Sequence, residues 1–215
     1  MHRLACLAAA VAIAACQISA QGEDNGQAAA AGNNVANPPT QTISSQQTRD
    51  QERRAAPDLR FVVDKSDREL RIFQGGQLIR TEPVAIGKPT IPTPVGSWKI
   101  HRVDINPEWI PTNEPWARDR TRKAPGDPAN PMGRARLVYR MPNTIHGTDD
   151  TASLGRMVSH GSIRVSNAIV LDLAEMLLRA GGSWEGTEWF RQMTEDRTRE
   201  YRISLKNPVP VEVRE

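Results

Sequence analysis

The pattern of apolar and polar residues divides the chain into two different parts. Residues 59–64 and 69–74 alternate as half-buried strands do, and a Gly-Gly turn at 75–76 leads into a further strand over 77–86. The same alternation predicts strands over 97–104, 136–140, 144–146, 201–205 and 209–213. Residues 17–58 instead consist mostly of Ala, Gln, Asn, Gly, Ser and Thr, so this segment buries too little apolar surface to fold.

Only two segments show the features of a helix. Ser166 is a suitable cap for a helix whose apolar residues form one stripe and which ends at Gly181 and Gly182. A second, short helix is predicted over 187–194. Six prolines within residues 105–131 predict a long irregular loop that acts as a functional insertion or a lid. The predicted fold class is mainly β, with one helix and a short second helix towards the C-terminus.

The N-terminal residues specify a destination rather than a fold. Two polar residues are followed by an uncharged stretch over 4–15, which is typical of a secretory signal and too short to span a bilayer. The sequence Ile-Ala-Ala-Cys ending at Cys16 is similar to the bacterial lipobox, in which the cysteine is lipidated. The predicted organisation is therefore a signal peptide at 1–16, a polar linker at 17–58 and a folded domain at 59–215, held at a membrane in the bacterial periplasm. Plain secretion with cleavage after Ala20 is the alternative.

Composition excludes several classes of protein. The 28 Lys and Arg residues nearly balance the 25 Asp and Glu residues in a chain of 215, and the net charge of +3 is too small for a dedicated nucleic-acid binder. The 38% of hydrophobic residues excludes a membrane channel. Both cysteines, Cys6 and Cys16, lie in the targeting segment, so the folded domain has no disulfide, no cysteine-bound metal and no cysteine nucleophile.

Candidate chemistry concentrates between residues 145 and 167. Ile-His-Gly-Thr begins at Ile145, and Ser-His-Gly-Ser-Ile-Arg-Val-Ser-Asn runs over 159–167. A nucleophile just before a helix lies where backbone N–H groups and the helix dipole stabilise an oxyanion, and a histidine from a neighbouring strand accepts its proton. Ser162 and His146 fit these two roles.

Each residue of this stretch also has a structural interpretation. His146 and His160 could be hydrogen-bonded core residues, and Arg164 could belong to a salt bridge. Gly147 and Gly161 could be turn glycines. The histidines and the two aspartates at 149 and 150 lack the spacing of a recognised metal site, so no metal is predicted.

The stretch resembles the signature of the L,D-transpeptidase catalytic domain, also called the YkuD domain. That signature is a His followed about a dozen residues later by Ser/Thr-His-Gly-Cys-x-Arg-x-x-Asn. The resemblance covers about residues 59–213 and includes Gly-Lys at 87–88, Thr-Pro-x-Gly at 93–96 and Asn-Pro-Met-Gly at 130–133. Where the family has its nucleophilic cysteine, this chain has Ser162. The resemblance implies a mixed β-sandwich with a cleft.

The resemblance also implies an activity without a cofactor. In the family, the cysteine attacks the bond between the third residue of a peptidoglycan stem peptide and the terminal D-Ala. The acyl group then passes to an amine of another stem, to an outer-membrane lipoprotein or to water. Carried onto this chain, His146 is the proton acceptor and donor and Ser162 the nucleophile. The frame for substrate and oxyanion is Ser159, His160, Gly161 and Arg164. Expected partners are stem peptides, a cell-wall synthase or an outer-membrane lipoprotein, and not nucleic acid.

Serine changes the expected mechanism. A thiol next to an imidazolium ionises before substrate arrives, whereas a hydroxyl must lose its proton to His146 during the attack. Such proton transfer works where a third group orients the imidazole, and neither neighbouring aspartate can be assigned that role from spacing. Three hypotheses follow: a serine enzyme, a catalytically inactive protein that keeps the cleft and binds stems or a partner, and an ordinary transpeptidase carrying an introduced serine.

Overall fold

The computed structural model describes residues 58–215. The predicted signal peptide with Cys16, and all of the predicted linker except Asp58, lie outside the described residues. Among residues 58–215, no helix has both the length and the apolar character needed to cross a membrane. The elements in chain order are β1 (Leu59–Asp64), β2 (Glu69–Gln74), β3 (Gln77–Pro83), β4 (Ile86–Gly87), β5 (Gly96–Ile105), β6 (Ala135–Arg140), β7 (Asn143–Thr148), a 3₁₀ turn (Thr151–Ser153), β8 (Met157–Ser159), β9 (Ile163–Ser166), α1 (Asn167–Ala180), α2 (Thr187–Glu195) and β10 (Tyr201–Arg214).

Most strands belong to one mixed sheet of eight, in the order β3-β2-β1-β10-β5-β6-β7-β9. The pairs β1–β10 and β7–β9 are parallel, and the other neighbours are antiparallel. A small parallel sheet of β4 and β8 completes the fold. The prediction of a mainly β fold with a mixed sheet and two helices is confirmed.

Helix α1 positions the end of β9, which carries the sequence motif. Ser166 caps the helix as predicted, since its hydroxyl accepts a hydrogen bond from the N–H of Ile169 at 3.2 Å. The helix buries one stripe against β5, β6, β7 and β10. The buried residues of this stripe are Val170, Leu173, Ala174, Leu177 and Leu178. Strand β9 therefore runs directly into an anchored helix.

Several predicted boundaries differ from the structure. The strand predicted over 77–86 ends at Pro83, and the chain continues into the separate β4. The two strands predicted over 201–205 and 209–213 are one strand, β10, with an irregularity between Ser204 and Val209 where Pro208 removes a backbone donor. Strands β8 and β9 were not predicted, because they have only three and four residues and lie inside the polar motif.

Candidate active site

Strands β7 and β9 lie side by side and carry the candidate residues. Their parallel register pairs Ile145 with Ile163 and His146 with Arg164. Because side chains alternate along a strand, the two isoleucines enter the core while His146 and Arg164 share the opposite face. Ser162 lies immediately before β9, and its hydroxyl accepts a hydrogen bond from the backbone N–H of Thr144 at 3.2 Å.

His146 has a fixed tautomer. Its side chain is only 2% exposed, and Nδ1 donates a hydrogen bond to the carbonyl oxygen of Gly147 at 2.8 Å. A carbonyl oxygen only accepts, so the proton is on Nδ1 and the lone pair is on Nε2. Burial, assisted by the charges of Arg164 and Arg136, lowers the pKa of His146 to about 4. The ring is therefore neutral at neutral pH.

A tight turn over residues 159–162 holds the candidate nucleophile. The hydroxyl of Ser159 donates to the carbonyl oxygen of Ser162 at 2.5 Å and accepts from the N–H of Gly161 at 3.2 Å. Gly161 has a φ of +97°, and a Cβ there would lie 2.6 Å from Nδ2 of Asn143. The turn therefore requires glycine at this position, and Ser159 fixes its geometry.

His146 and Ser162 line the same cavity, which has a volume of about 310 Å³. Ser159, His160 and Arg164 line it as well, so the structure brings together five of the six predicted domain residues, and Gly161 lies in the turn between them. Loop residues form the apolar part of the wall: Trp109, Ile110, Trp116 and Met132. Ile110 and Met141 are 60% and 58% exposed, so the edge of the cavity is apolar.

The predicted long loop, between β5 and β6, contributes to this wall. Backbone hydrogen bonds of 2.9 and 3.0 Å join Trp109 and Lys123 and close part of the loop into a narrow structure. The ring of Trp116 stacks on His160, with 4.1 Å between centroids and 11° between planes. Trp116 was not predicted as part of the site, and its only sequence signal is an isolated aromatic residue in a polar, proline-rich stretch.

Asn167, at the start of α1, connects three parts of the site. Its Oδ1 accepts from the N–H of Arg134 at 2.8 Å, and its Nδ2 donates to Asp149 at 2.6 Å. A Cβ at Gly147 would lie 2.3 Å from Asn167 Oδ1. The side chain of Asn167 therefore packs tightly on the residue whose carbonyl orients His146. Asn167 is the last residue of the sequence motif, and the motif alone does not indicate this role.

The structure bears on one expectation and on two questions that the sequence left open. Helix α1 does not directly follow Ser162, because β9 separates them, so its N-terminus is not adjacent to the nucleophile. Neither Asp149 nor Asp150 orients the imidazole, since the carbonyl of Gly147 does so. Arg164 forms no salt bridge with any residue in 58–215.

Comparisons of the chain with known proteins match one family. The model of the L,D-transpeptidase catalytic domain, YkuD, matches residues 58–211. The putative L,D-transpeptidase YkuD of Bacillus licheniformis is 31% identical over 119 residues, which are 55% of this chain and 59% of that protein. The probable L,D-transpeptidase YbiS of Escherichia coli is 30% identical over 124 residues, or 54% of this chain and 40% of that protein. The chain thus spans about half the length of these relatives.

Two solved structures are similar to this chain. An L,D-transpeptidase from Mycobacterium smegmatis has a TM-score of 0.48 at 16% identity, over 74% of this chain and 59% of that chain. L,D-transpeptidase 3 from Mycobacterium tuberculosis has a TM-score of 0.45 at 18% identity, over 74% of this chain and 62% of that chain.

Proposed function

Because the chain belongs to the family of L,D-transpeptidase catalytic domains, we propose that it acts on peptidoglycan stem peptides through Ser162 and His146. The bond attacked joins the third residue of a tetrapeptide stem to its terminal D-Ala. The observation that carries the proposal is the Nδ1–H bond from His146 to the Gly147 carbonyl. This bond leaves Nε2 as a proton acceptor on a ring that lines the same cavity as Ser162.

The proposed reaction has two steps. The hydroxyl oxygen of Ser162 bonds to the scissile carbonyl carbon while its proton moves to Nε2 of His146. The carbon–nitrogen bond then breaks, and His146 gives that proton to the departing amine of D-Ala, which leaves an ester on Ser162. In the second step an amine or water attacks the ester, with His146 again accepting and returning the proton. Arg164 contributes positive charge near the developing oxyanion, and Ser159, His160 and Gly161 fix the turn.

The low pKa of His146 favours proton transfer from Ser162 during the attack. It disfavours the alternative, in which a His146 imidazolium and an ionised Ser162 form an ion pair before substrate binds. With a pKa of about 4, protonating the ring at pH 7 costs about 4 kcal/mol. A resting imidazolium is therefore disfavoured, whereas a neutral imidazole is the form that accepts a proton from a hydroxyl. During the attack, the negative charge that forms on the substrate supplies the missing counter-charge.

One observation favours an inactive binding protein instead. Within residues 58–215, no hydrogen bond joins His146 to Ser162, and the Ser162 hydroxyl accepts from Thr144 instead. In that arrangement Ser162 serves only to hold β7 against the turn. The cavity would then bind stem peptides, or present the protein to a cell-wall synthase, without cleaving them.

The proposal extends to the location of the protein. A lipidated Cys16 would attach the chain to a membrane of the periplasm through the predicted linker, of which residues 17–57 lie outside the described residues. The acyl acceptor could then be another stem or an outer-membrane lipoprotein. Labelling with a radioactive fatty acid in wild type and in Cys16→Ala measures the attachment, and equal label in both would contradict it.

Turnover of purified disaccharide tetrapeptide distinguishes the two functions. Mass spectrometry measures the tripeptide, free D-Ala and cross-linked dimer produced by wild type, Ser162→Ala, Ser162→Cys and His146→Ala. Products from wild type that disappear in Ser162→Ala and in His146→Ala support the serine enzyme. Products only from Ser162→Cys support the inactive protein, and an unchanged rate in Ser162→Ala refutes the assigned nucleophile.

A further inference from the structure

Asn143 lies beside the turn that holds the candidate nucleophile, although it precedes the sequence motif. It begins β7, is half-buried and lines the cavity that contains Ser162. A Cβ built on Gly161 would lie 2.6 Å from Nδ2 of Asn143, so the amide nitrogen packs directly on the residue before Ser162. The residue after Asn143, Thr144, donates its N–H to the hydroxyl of Ser162 at 3.2 Å. Asn143 is therefore close to the nucleophile through both the turn and the strand.

Arg140, the cross-strand partner of Asn143 in the β6–β7 hairpin, sets the orientation of the amide. Its Nη1 donates to Oδ1 of Asn143 at 3.0 Å. A guanidinium has no acceptor, so the amide oxygen faces Arg140 and the NH₂ group lies on the other side, towards Gly161. Arg140 is itself positioned over the ring of Trp98, 5.8 Å from its centre. The amide therefore presents its donors, and not its oxygen, to the turn.

The N–H donors of this amide are free for a ligand. Within residues 58–215, Nδ2 of Asn143 donates no hydrogen bond, and the only hydrogen bond of the side chain is made by Oδ1. The neighbouring wall residues, Met141 and Pro142, have no side-chain donor that could compete. A ligand oxygen bound at Ser162 therefore has an oriented N–H group on this side of the cavity.

We propose that Asn143 donates a hydrogen bond to the oxyanion formed when Ser162 attacks the scissile carbonyl, which makes it a further catalytic residue. This inference rests on the proposed function. As the Ser162 oxygen bonds to the carbonyl carbon, one electron pair of the C=O bond moves onto the carbonyl oxygen, which becomes the acceptor. The pair returns when the bond to D-Ala breaks, and His146 gives the proton taken from Ser162 to the departing amine.

The position and the chemistry of Asn143 suit this role. Consecutive Cα atoms are ~3.8 Å apart, so an amide nitrogen packed on Gly161 lies within one residue of the Ser162 side chain. The amide is neutral, and it adds a directed donor to the positive charge that Arg164 contributes. The negative charge on the substrate oxygen exists only in the transition state and the tetrahedral intermediate. The hydrogen bond therefore strengthens there and accelerates the chemical step.

Steady-state turnover of disaccharide tetrapeptide by the full-length protein tests this role, in wild type and in the Ser162→Cys background. Asn143→Ala removes the donor, and kcat should fall about 100- to 1,000-fold with KM changed less than ~3-fold. Asn143→Asp keeps the acceptor for Arg140 but sets a negative charge beside the oxyanion, so kcat should fall at least as far. Asn207→Asp is the matched control, because Asn207 is exposed on β10 outside the cavity wall and its kcat should equal that of wild type.

Binding and stability separate a catalytic role from a structural one. Calorimetric titration of tetrapeptide into Ser162→Ala and Ser162→Ala/Asn143→Ala, which form no oxyanion, should give affinities equal within ~3-fold. The two proteins should also unfold at similar urea concentrations. A loss of affinity or stability that matches the loss of kcat would assign Asn143 to substrate binding or to the fold of the turn, and would overturn the catalytic role.

The remaining outcomes distinguish this inference from the proposed function. An unchanged kcat in both Asn143 variants, or a rise in KM alone, overturns the oxyanion role and leaves the proposed function intact. If products form only with Ser162→Cys, the proposed serine enzyme fails, and the kcat of Asn143→Ala in that background decides the role of Asn143. If neither wild type nor Ser162→Cys forms product, both the proposed function and this inference fail.

Discussion

Stability of the protein should fall on mild acidification because of His146. In the unfolded chain a histidine has a pKa near 6.5, whereas burial lowers the pKa of His146 in the fold to about 4. Between these values the unfolded state binds more protons than the folded state. The stabilisation is therefore complete above pH 6.5 and is lost progressively as the pH falls towards 4.

The size of the effect follows from the two pKa values. Linkage gives a loss of about 2 kcal/mol between pH 7 and pH 5, and about 3 kcal/mol by pH 4. Replacing His146 with Gln removes the titrating ring and keeps a side-chain N–H that can reach the Gly147 carbonyl. The free energy of unfolding of His146→Gln should therefore fall about 2 kcal/mol less than that of wild type over the same interval.

Urea unfolding followed by circular dichroism at pH 7, 6 and 5 measures this difference. Other titrating groups, including His160, are present in both proteins, so their contributions cancel in the comparison. His101→Gln is the matched control, because His101 is exposed on β5. The plot of its free energy of unfolding against pH should run parallel to that of wild type. Parallel curves for wild type and His146→Gln would show that the imidazole accepts a proton freely in the fold, contrary to its burial.

Three other substitutions test neighbouring contacts. Gly147→Ala places a Cβ 2.3 Å from Asn167 Oδ1 and should lower the free energy of unfolding by about 1–3 kcal/mol in urea titration. Ser166→Ala removes the cap of α1 and should cost about 1 kcal/mol by the same measurement, whereas an unchanged midpoint would argue against the cap. Trp116→Ala removes the stack on His160 and should raise KM for tetrapeptide about 2- to 10-fold with little change in melting temperature. A fall in kcat alone would indicate that the stack acts on the chemical step.

Sequence reasoning worked best where one face of a strand is buried. Strand β2 and helix α1 have patterns of period 2 and 3.6 that burial of one face explains, and both were placed with their observed limits. Strands β8 and β9 have too few residues for a period, and their pairing with β4 and β7 depends on contacts distant in sequence. Local patterns carry no information about such contacts.

The features of the candidate site also differ in whether the local sequence could predict them. Residue type and spacing in the motif were enough to predict His146 and Ser162 as candidates, and both line the cavity. The acceptor of the His146 proton was missed because it is a backbone carbonyl, which no sequence pattern marks. Trp116 was missed because a loop without periodicity reaches His160 only in three dimensions.

The place of β10 in the sheet has a consequence for synthesis on the ribosome. This strand lies between β1 and β5, so Phe61 pairs with Val211, and the meander β1–β3 joins the rest of the sheet only through residues made more than a hundred positions later. Until those residues emerge, β1 presents an unpaired, apolar edge to the cell. Folding should therefore be slow and largely post-translational, and a nascent chain stalled before Tyr201 would be a substrate for chaperones and proteases.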